Sequence, residues 1–147
     1  MERLEVAVKK KDGVTLPVYA TESSSGLDLA AFLDEPVVLE PFARALIPTG
    51  IHISIPEGFE AEIRPRSGLA HKFGITVLNT PGTIDSDYRG EVMVLLINLG
   101  DKPFQIDNGD RIAQMIFKSV VVIEWIPAEE LPDTTRGRGG FGSTGRR

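Results

Sequence analysis

Glycine and proline divide this chain into short segments, and this punctuation constrains its fold more than any other feature. The 147 residues include 15 Gly and 10 Pro, and the segments between them are rich in β-branched residues that partly alternate with polar ones. This pattern predicts short β-strands. The predicted strands cover residues 4–8, 37–39, 46–55, 75–78, 91–98, 104–106 and 112–125. Pro48 and Gly50 predict a bulge or a sheet edge, and residues 67–72 predict one short helix, so the expected fold class is all-β.

The size and composition of the chain exclude several classes of protein. A length of 147 residues suits one domain with a substantial core. The absence of cysteine removes disulfides and thiol nucleophiles, and only two histidines argue against a transition-metal site. The net charge of −5 argues against non-specific nucleic-acid binding. With no apolar stretch of roughly 18 residues and no signal-peptide core, we expect a cytoplasmic protein with no membrane partner and no stable nucleic-acid partner.

The C-terminal part of the chain divides into an apolar strand and a polar tail. The predicted strand 112–125 includes the consecutive apolar residues 120–123. We expect both of its faces to be buried, which in a small domain indicates a subunit contact. From Thr134 onward glycine and arginine dominate, and fixing ten such residues costs about 10 kcal/mol of backbone entropy. We therefore predict a folded domain over 1–133 and a flexible C-terminal arm over 134–147 that becomes ordered over a ligand.

The stretch 79–92 is the richest in chemically active residues. Turn residues at its two ends predict a β-hairpin whose bend exposes its backbone. Asp85 and Asp87 lie in the bend with Tyr88. These are residue types that activate a water molecule and support a sugar ring. A hairpin that merely carries polar residues at its tip is the alternative.

Two further stretches suggest a site for an anionic ligand. Asp28 lies between Leu27 and Leu29, so strand alternation places its carboxylate on the opposite face from these leucines; a solvated turn aspartate is the alternative. Arg66 and Ser67 stand at the start of the predicted helix, where free backbone N–H groups and side-chain donors form an oxyanion site. Ser67 acting only as an N-cap is the alternative there.

Polar residues in the last strand and in the arm complete the candidates. Arg111 and Gln114 interrupt an apolar strand, which accepts such residues only with partners. A structural Asp110–Arg111 pair and a ligand contact by Gln114 both explain this pattern. In the arm, Arg136 can bind a phosphate and Phe141 can stack on a base. An unstructured Gly-Arg tail with loose affinity for RNA is the alternative for the arm.

Taken together, these stretches resemble the five motifs of the homotrimeric dUTPase family in order and in spacing. The motifs correspond to residues 25–29, 65–70, 82–90, 109–114 and 138–145, so the resemblance spans nearly the whole chain. It implies the dUTPase fold, a β-sandwich of jelly-roll type. It also implies a homotrimer with intersubunit active sites, in which one chain supplies the hairpin, a second the Arg66 loop and a third the arm.

The resemblance further implies hydrolysis of dUTP to dUMP and pyrophosphate. This reaction keeps uracil out of DNA and supplies dUMP for thymidylate synthesis. Asp85 would activate the water that attacks the α-phosphorus, and Mg²⁺ would bridge the phosphates, with Asp28 contacting it through water. The implied substrate-binding residues are Arg66, Ser67, Gly68, Asn79, Gly82, Ile84, Tyr88, Met93, Gln114, Arg136, Arg138, Phe141, Gly142, Ser143 and Thr144.

Three questions stay open at the level of sequence. Arg136 and Arg138 both lie near the position from which an arginine would reach the γ-phosphate. The related dCTP deaminase family shares the fold and the trimer, but its catalytic glutamate and its arginine-serine arrangement are not found here. A nucleotide sensor that binds dUTP without turnover and an RNA-binding jelly roll that uses the arm are the non-enzymatic alternatives.

Overall fold

In a computed structural model of the protein, which describes residues 3–145, ten strands and one helix form an all-β fold. This confirms the predicted fold class. The elements in chain order are β1 Ala7–Lys10, β2 Leu27–Ala30, β3 Val37–Leu39, β4 Arg44–Ser54, β5 Phe59–Arg64, α1 Ser67–Phe73, β6 Ile75–Val77, β7 Gly82–Ile84, β8 Glu91–Asn98, β9 Phe104–Ile106 and β10 Arg111–Ser119. No helix among the described residues is long and apolar enough to cross a membrane.

Two four-stranded antiparallel sheets share one hydrophobic core. The first sheet has the strand order β1-β4-β8-β6 and the second has the order β2-β10-β5-β7, while β3 and β9 form a separate ribbon. Alternate residues of the strands point inward, as in β8, where every second residue is buried. Residues from both sheets meet in one cluster, which includes Leu29, Ile47, Ile63, Leu96 and Met115. The arrangement is therefore a sandwich.

A bulge bends the long strand β4, as predicted. The register between β4 and β8 shifts between Pro48 and His52. Gly50 lies in the bulge with φ +71°, and a Cβ atom there would come within 2.5 Å of Val14 Cγ2. The Gly50 N–H donates to Glu91 Oε1 at 2.8 Å. The bend therefore requires glycine for both backbone conformation and space.

The helix α1 begins and ends close to the predicted bounds. Its N-cap is Arg66, without a side-chain hydrogen bond, so the interpretation of Ser67 as the N-cap is wrong. The helix ends at Phe73 and is capped by Gly74, whose φ is +70° and whose N–H donates to Ala70 O at 3.0 Å. The Phe73 ring lies 5.2 Å from the Phe104 ring, measured between centroids. This contact fixes the end of α1 against β9.

The prediction of a hairpin over 79–92 is wrong. β7 pairs with β5, whereas β8 pairs with β4 and β6, so the stretch passes from one sheet to the other. The turn residues correctly indicate chain reversals. They do not specify strand partners, and non-local pairing with β5 and β4 replaces the local pairing of a hairpin.

The predicted strand end at residue 125 is also wrong, while burial of this segment against another subunit stays a prediction. β10 ends at Ser119, and the residues after it are exposed, including Val121 at 84% and Trp125 at 87%. Val120 N donates to Gly58 O at 2.8 Å, which is where this segment leaves the sheet. The apolar sequence predicted a strand, but residues 120–125 belong to none of the strands of the described chain.

Candidate active site

A cavity of about 720 Å³ opens between β2, the start of α1 and β10. It gathers three of the stretches singled out in the sequence, around Asp28, Arg66 and Gln114. The residues lining it are Ala20, Ser24, Ser25, Gly26, Asp28, Arg66, Ser67, Gly68, Leu69, Lys72, Phe73, Arg111 and Gln114. Its size suits a ligand as large as a nucleotide phosphate chain.

Strand register explains why these side chains meet. Gln114 in the central strand β10 pairs with Asp28 on one side and with Arg64 on the other. Leu29 and Met115, the next residues along, are buried in the core, so Asp28 and Gln114 lie on the outer face. This confirms the predicted orientation of Asp28 relative to Leu29. Gln114 Nε2 also donates to the carbonyl oxygen of Pro65 at 3.0 Å, which anchors the loop before α1.

Asp28 is held by two arginines. Arg66 Nε donates to Asp28 Oδ1 at 3.2 Å, and Arg111 Nη1 donates to Asp28 Oδ2 at 3.0 Å. The predicted structural pair of Arg111 with Asp110 is wrong, because Asp110 Oδ2 accepts from Asp107 N instead. The sequence showed that Arg111 needed a partner. It did not identify Asp28, which lies 83 residues away along the chain.

The cavity is positively charged in a protein that carries a net charge of −5. Arg66, Lys72 and Arg111 line it together with a single carboxylate, that of Asp28. The start of α1 adds the main chain of Ser67 and Gly68, both exposed to the cavity. Such an arrangement attracts an anionic ligand and offers it hydrogen-bond donors.

Lys72 is a lining residue that the sequence analysis missed. It lies four residues after Gly68 on α1, and residues with this spacing share a helix face. The predicted helix bounds and the position of Gly68 were therefore sufficient to find it. Ser24 and Ser25 also line the cavity; both lie in the turn before β2.

The residues predicted from the stretch 79–92 lie outside this cavity. Asp85 is exposed directly after the buried Ile84, and its carbonyl oxygen accepts from Tyr88 N at 3.1 Å. Tyr88 is partly exposed, and its hydroxyl donates to the carbonyl oxygen of Glu91 at 3.1 Å. Among the described residues that line the cavity, none comes from this stretch.

The remaining predicted contacts from this region are also separate from the cavity. Gly82 is buried at the start of β7, and a Cβ atom there would meet Asn79 Nδ2 at 3.1 Å. Met93 is half-buried on β8, on the face opposite the core. One chain therefore does not bring the predicted base-binding residues to the predicted phosphate-binding residues.

The C-terminal arm, as far as it is described, folds back on itself. Arg136 Nε donates to Gly139 O at 2.7 Å, and Ser143 N donates to Gly140 O at 3.0 Å. Phe141 is fully exposed with φ +49°. The other predicted contacts, Arg138, Gly142, Ser143 and Thr144, are exposed as well. None of the arm residues up to 145 lines the cavity, and residues 146–147 of the predicted arm lie outside the described residues.

A buried carboxylate lies in the same sheet, near the cavity but not in it. Glu62 on β5 accepts from Arg64 Nε at 2.8 Å and from Lys118 Nζ at 3.0 Å. The hydrogen bonds from Arg64 and then from Lys118 lower the pKa of Glu62 below its ordinary value of 4.5. Glu62 therefore stabilises the sheet as a paired carboxylate.

Comparison with known proteins decides the family. The model of the family described as dUTPase matches residues 12–145. The chain belongs to the dUTPase family. This confirms the resemblance drawn from the five motifs and the predicted class of enzyme, a dUTP diphosphatase.

Relatives of this dUTPase-family chain match it over nearly its full length. Deoxyuridine 5'-triphosphate nucleotidohydrolase of Treponema denticola is 56% identical over 142 residues, which are 97% of this chain and 99% of the relative. The protein of the same name from Wolbachia sp. subsp. Brugia malayi is 57% identical over 150 residues, covering 98% and 96%. The solved structure of Staphylococcus bacteriophage 80alpha dUTPase with dUPNHPP is 27% identical, with a TM-score of 0.86 and coverage of 96% and 98%.

Proposed function

We propose that this dUTPase-family chain hydrolyses dUTP to dUMP and pyrophosphate, through attack on the α-phosphorus by a water that Asp85 activates. The observation that carries the proposal is the positively charged cavity, where Asp28, Arg66 and Gln114 meet. A triphosphate is the part of dUTP with the most charge, and this cavity offers cations and N–H donors to it. The relatives that match the whole chain support dUTP as the nucleotide.

The phosphate chain is bound by the walls of the cavity. Arg66, Ser67 and Gly68 at the start of α1 and Gln114 on β10 donate hydrogen bonds to its oxygens. Each charge-assisted bond contributes about 1.5 to 3 kcal/mol. Arg66 exchanges its bond to Asp28 for a bond to phosphate, because the phosphate chain carries more negative charge than one carboxylate and attracts the guanidinium more strongly.

The donor set of the cavity fits a magnesium ion that arrives with the nucleotide. Asp28 is its single carboxylate, and no group of three or more His, Cys, Asp or Glu side chains among the described residues forms a metal cage. Mg²⁺ commonly binds through one or two carboxylates and substrate phosphates and keeps several waters. Asp28 would hold it through such a water, and the ion when bound neutralises charge on the phosphates.

The exposed stretch around Asp85 supplies recognition and the base. Asp85 takes a proton from the attacking water, and no covalent intermediate is needed. Asn79 and main-chain groups at Gly82 and Ile84 match the hydrogen-bonding edge of uracil, which cytosine inverts in part. Tyr88 lies against the deoxyribose and leaves no space for a 2′-hydroxyl. Met93 belongs to the same proposed nucleotide-binding surface as Asn79 and Tyr88.

A homotrimer with intersubunit active sites completes the arrangement. In one chain the cavity lacks Asp85, Tyr88 and the arm, so a complete site needs residues of other copies. The single chain also exposes many large hydrophobic residues, several of them consecutive in sequence. Its exposed large hydrophobic residues include Leu46, Leu78, Val121, Val122, Ile123, Trp125, Ile126 and Leu131. Association of three copies would cover such a surface.

The arm over 134–147 closes on the bound nucleotide. Arg136 or Arg138 reaches the γ-phosphate with Ser143 and Thr144, while Phe141 covers the base. Closure excludes water other than the attacking one and restrains the phosphates in a reactive geometry.

In the cell, this activity would keep uracil out of DNA and supply dUMP for thymidylate synthesis. The cytoplasmic location and the jelly-roll description of the sandwich stay predictions.

A pyrophosphate-release assay with dUTP, dCTP, dTTP and UTP, with and without magnesium, tests the proposed function. We expect release from dUTP in the presence of magnesium, and far less from the other three nucleotides. A strong preference for any nucleotide other than dUTP would contradict the substrate. Ammonia release from dCTP would indicate a deaminase, and tight dUTP binding without turnover would indicate a sensor.

A further inference from the structure

Arg111 contacts both other members of an ionic cluster in the cavity, here called the Asp28 cluster and formed by Asp28, Arg66 and Arg111. Its side chain donates Nη1 to Asp28 Oδ2 at 3.0 Å, while its main-chain oxygen accepts from Arg66 Nη1 at 3.2 Å. Arg66 closes the triangle with its bond from Nε to Asp28 Oδ1. Arg111 thus holds one partner with its side chain and the other with its backbone.

A bulge in β10 turns the Arg111 side chain toward this cluster. Arg111 pairs with Ala30 in β2, and the register shifts between Arg111 and Ala113. Ile112 is the extra residue, and it is buried together with Ala113. In a regular strand, residues two apart share a face, so Arg111 would point into the core beside Ala113. The bulge instead places Arg111 on the face that carries Asp28.

The charges of the cluster favour an exchange of partners. Two guanidinium groups share one carboxylate, and the side chain of Arg111 is 58% exposed, against 29% for Arg66 and 20% for Asp28. When Arg66 turns to a phosphate, Asp28 would be left as a half-buried anion beside another anion, and the two would repel each other. The bond from Arg111 to Oδ2 keeps Asp28 paired throughout this exchange.

We propose that Arg111 is a positioning residue, which holds Asp28 in place and neutralised while Arg66 turns to a phosphate of the substrate. The inference rests on the proposed function for the identity of that phosphate. Arg111 acts through Asp28 and Arg66 rather than on the reacting atoms. With Asp28 fixed, its carboxylate stays directed at the water shell of a magnesium ion that arrives with the phosphates.

Two variants of Arg111 and one matched control isolate this role. Arg111→Met removes the charge and the donor but leaves the main-chain bond to Arg66, and Arg111→Lys keeps the charge without the guanidinium geometry. The control is Lys118→Met on the same strand. Lys118 and Arg64 both pair with Glu62, so the control also removes one cation from a doubly paired carboxylate, outside the cavity.

The readouts are calorimetric binding of inorganic pyrophosphate, with and without magnesium, and kcat/KM for dUTP. We expect Arg111→Met to weaken binding of magnesium pyrophosphate and to lower kcat/KM, each about 10- to 100-fold. Arg111→Lys should recover part of the loss, and Lys118→Met should match the wild type. Because Arg111 acts through Asp28, its effect should largely disappear when Asp28→Asn is already present.

Two results would overturn the proposal. One is an Arg111→Met protein that binds and turns over as Lys118→Met does. The other is a loss that adds in full to that of Asp28→Asn, because Arg111 would then act on the phosphates directly. If thermal melts show that Arg111→Met does not fold, Arg111→Lys with and without Asp28→Asn gives the same comparison. If wild-type protein releases no pyrophosphate from dUTP, the proposed function fails, and the pyrophosphate titration still decides the role of Arg111.

Discussion

The two halves of the proposed site differ in how far one chain builds them. The cavity at the start of α1 is complete within the chain: its carboxylate carries two ion pairs, and Gln114 anchors the loop that precedes the helix. Asp85 and the C-terminal arm are largely exposed, and the hydrogen bonds there are local: Asp85 O accepts from Tyr88 N, and Arg136 Nε donates to Gly139 O. Neither reaches the cavity.

This difference follows from what each half must do. A phosphate site works best when its donors are fixed before binding, because fixed donors lose little entropy when the ligand arrives. An element that must admit a substrate and then cover it has to keep few contacts in the free state. We therefore expect substitutions in the cavity to affect binding and stability, and substitutions in the exposed half to affect turnover.

Replacement of Asp85 by Asn should produce the largest effect. Loss of the general base should lower kcat about 10²- to 10⁴-fold while nucleotide affinity is kept. Pyrophosphate release measures turnover. Calorimetry measures affinity for dUpNHpp, a dUTP analogue that is not turned over because an imido linkage replaces the bond that is cleaved. Asp87→Asn, two residues away in the same exposed turn, is the matched control and should stay near wild type. Normal turnover by Asp85→Asn would refute the assigned role.

Truncation of the chain after Thr135 should have the second largest effect on activity. Without the arm, water enters the site and the phosphates lose one set of restraints, so kcat/KM should fall about 100-fold. The melting temperature should stay unchanged, because the described arm is exposed apart from Gly139 and Gly140 and its hydrogen bonds are within the arm. Activity equal to that of the full chain would show that the arm does not close the site. A large fall in melting temperature would show that the arm belongs to the folded domain.

Gly74→Ala tests the claim that the cavity side is rigid. Gly74 has φ +70°, and a Cβ atom there would lie 2.6 Å from Gly100 N, a backbone atom. The matched control is Gly13→Ala, which has φ +83° but no atom within 4 Å of the new Cβ. We expect the control to lose about 1 kcal/mol of unfolding free energy. Gly74→Ala should lose clearly more, about 2 to 4 kcal/mol. Equal losses of unfolding free energy for the two variants, measured by urea unfolding, would mean that the C-terminal end of α1 shifts at little cost to make room for the new Cβ atom.

The smallest expected effect concerns stability at low pH. Burial raises the pKa of Glu91, but hydrogen bonds from Lys11 and from Gly50 N more than offset it, so the pKa is lowered, as it is in Glu62. Each lowered pKa stabilises the fold fully above the ordinary value of 4.5, and this stabilisation is lost as the pH falls through the lowered pKa. Melting temperatures of Glu62→Gln should therefore fall less steeply between about pH 5 and pH 3 than those of the wild type. Identical slopes would contradict this.

The sequence predicted the class of fold and residues that line the cavity half of the proposed site, because both depend on local patterns. Strand alternation placed Asp28 opposite Leu29, and the helix start placed Arg66 and Ser67 at the cavity. Strand β5 was missed although its sequence alternates between polar and apolar residues. The polar positions in it are Glu60, Glu62 and Arg64, and these reduced its apolar signal.

Non-local partners were beyond the sequence patterns. The pair of Arg111 with Asp28 depends on the register between β2 and β10 and on a bulge, neither of which a local pattern fixes. The stretch 79–92 changes sheets for the same reason. The exposed apolar residues after Ser119 are a third case. Their sequence predicted burial, and nothing in the sequence shows whether the surface that covers them belongs to the same chain or to another copy.

Subunit complementation tests the central claim, that Asp85 of one chain works with Arg66 of another. Asp85→Asn and Arg66→Met proteins, each inactive alone, are mixed, unfolded and refolded together, and pyrophosphate release from dUTP is measured. If sites form between chains, random assembly gives sites with both wild-type residues, and activity should recover to roughly a quarter of the wild-type value. Recovery no greater than the sum of the two separate variants would contradict the account.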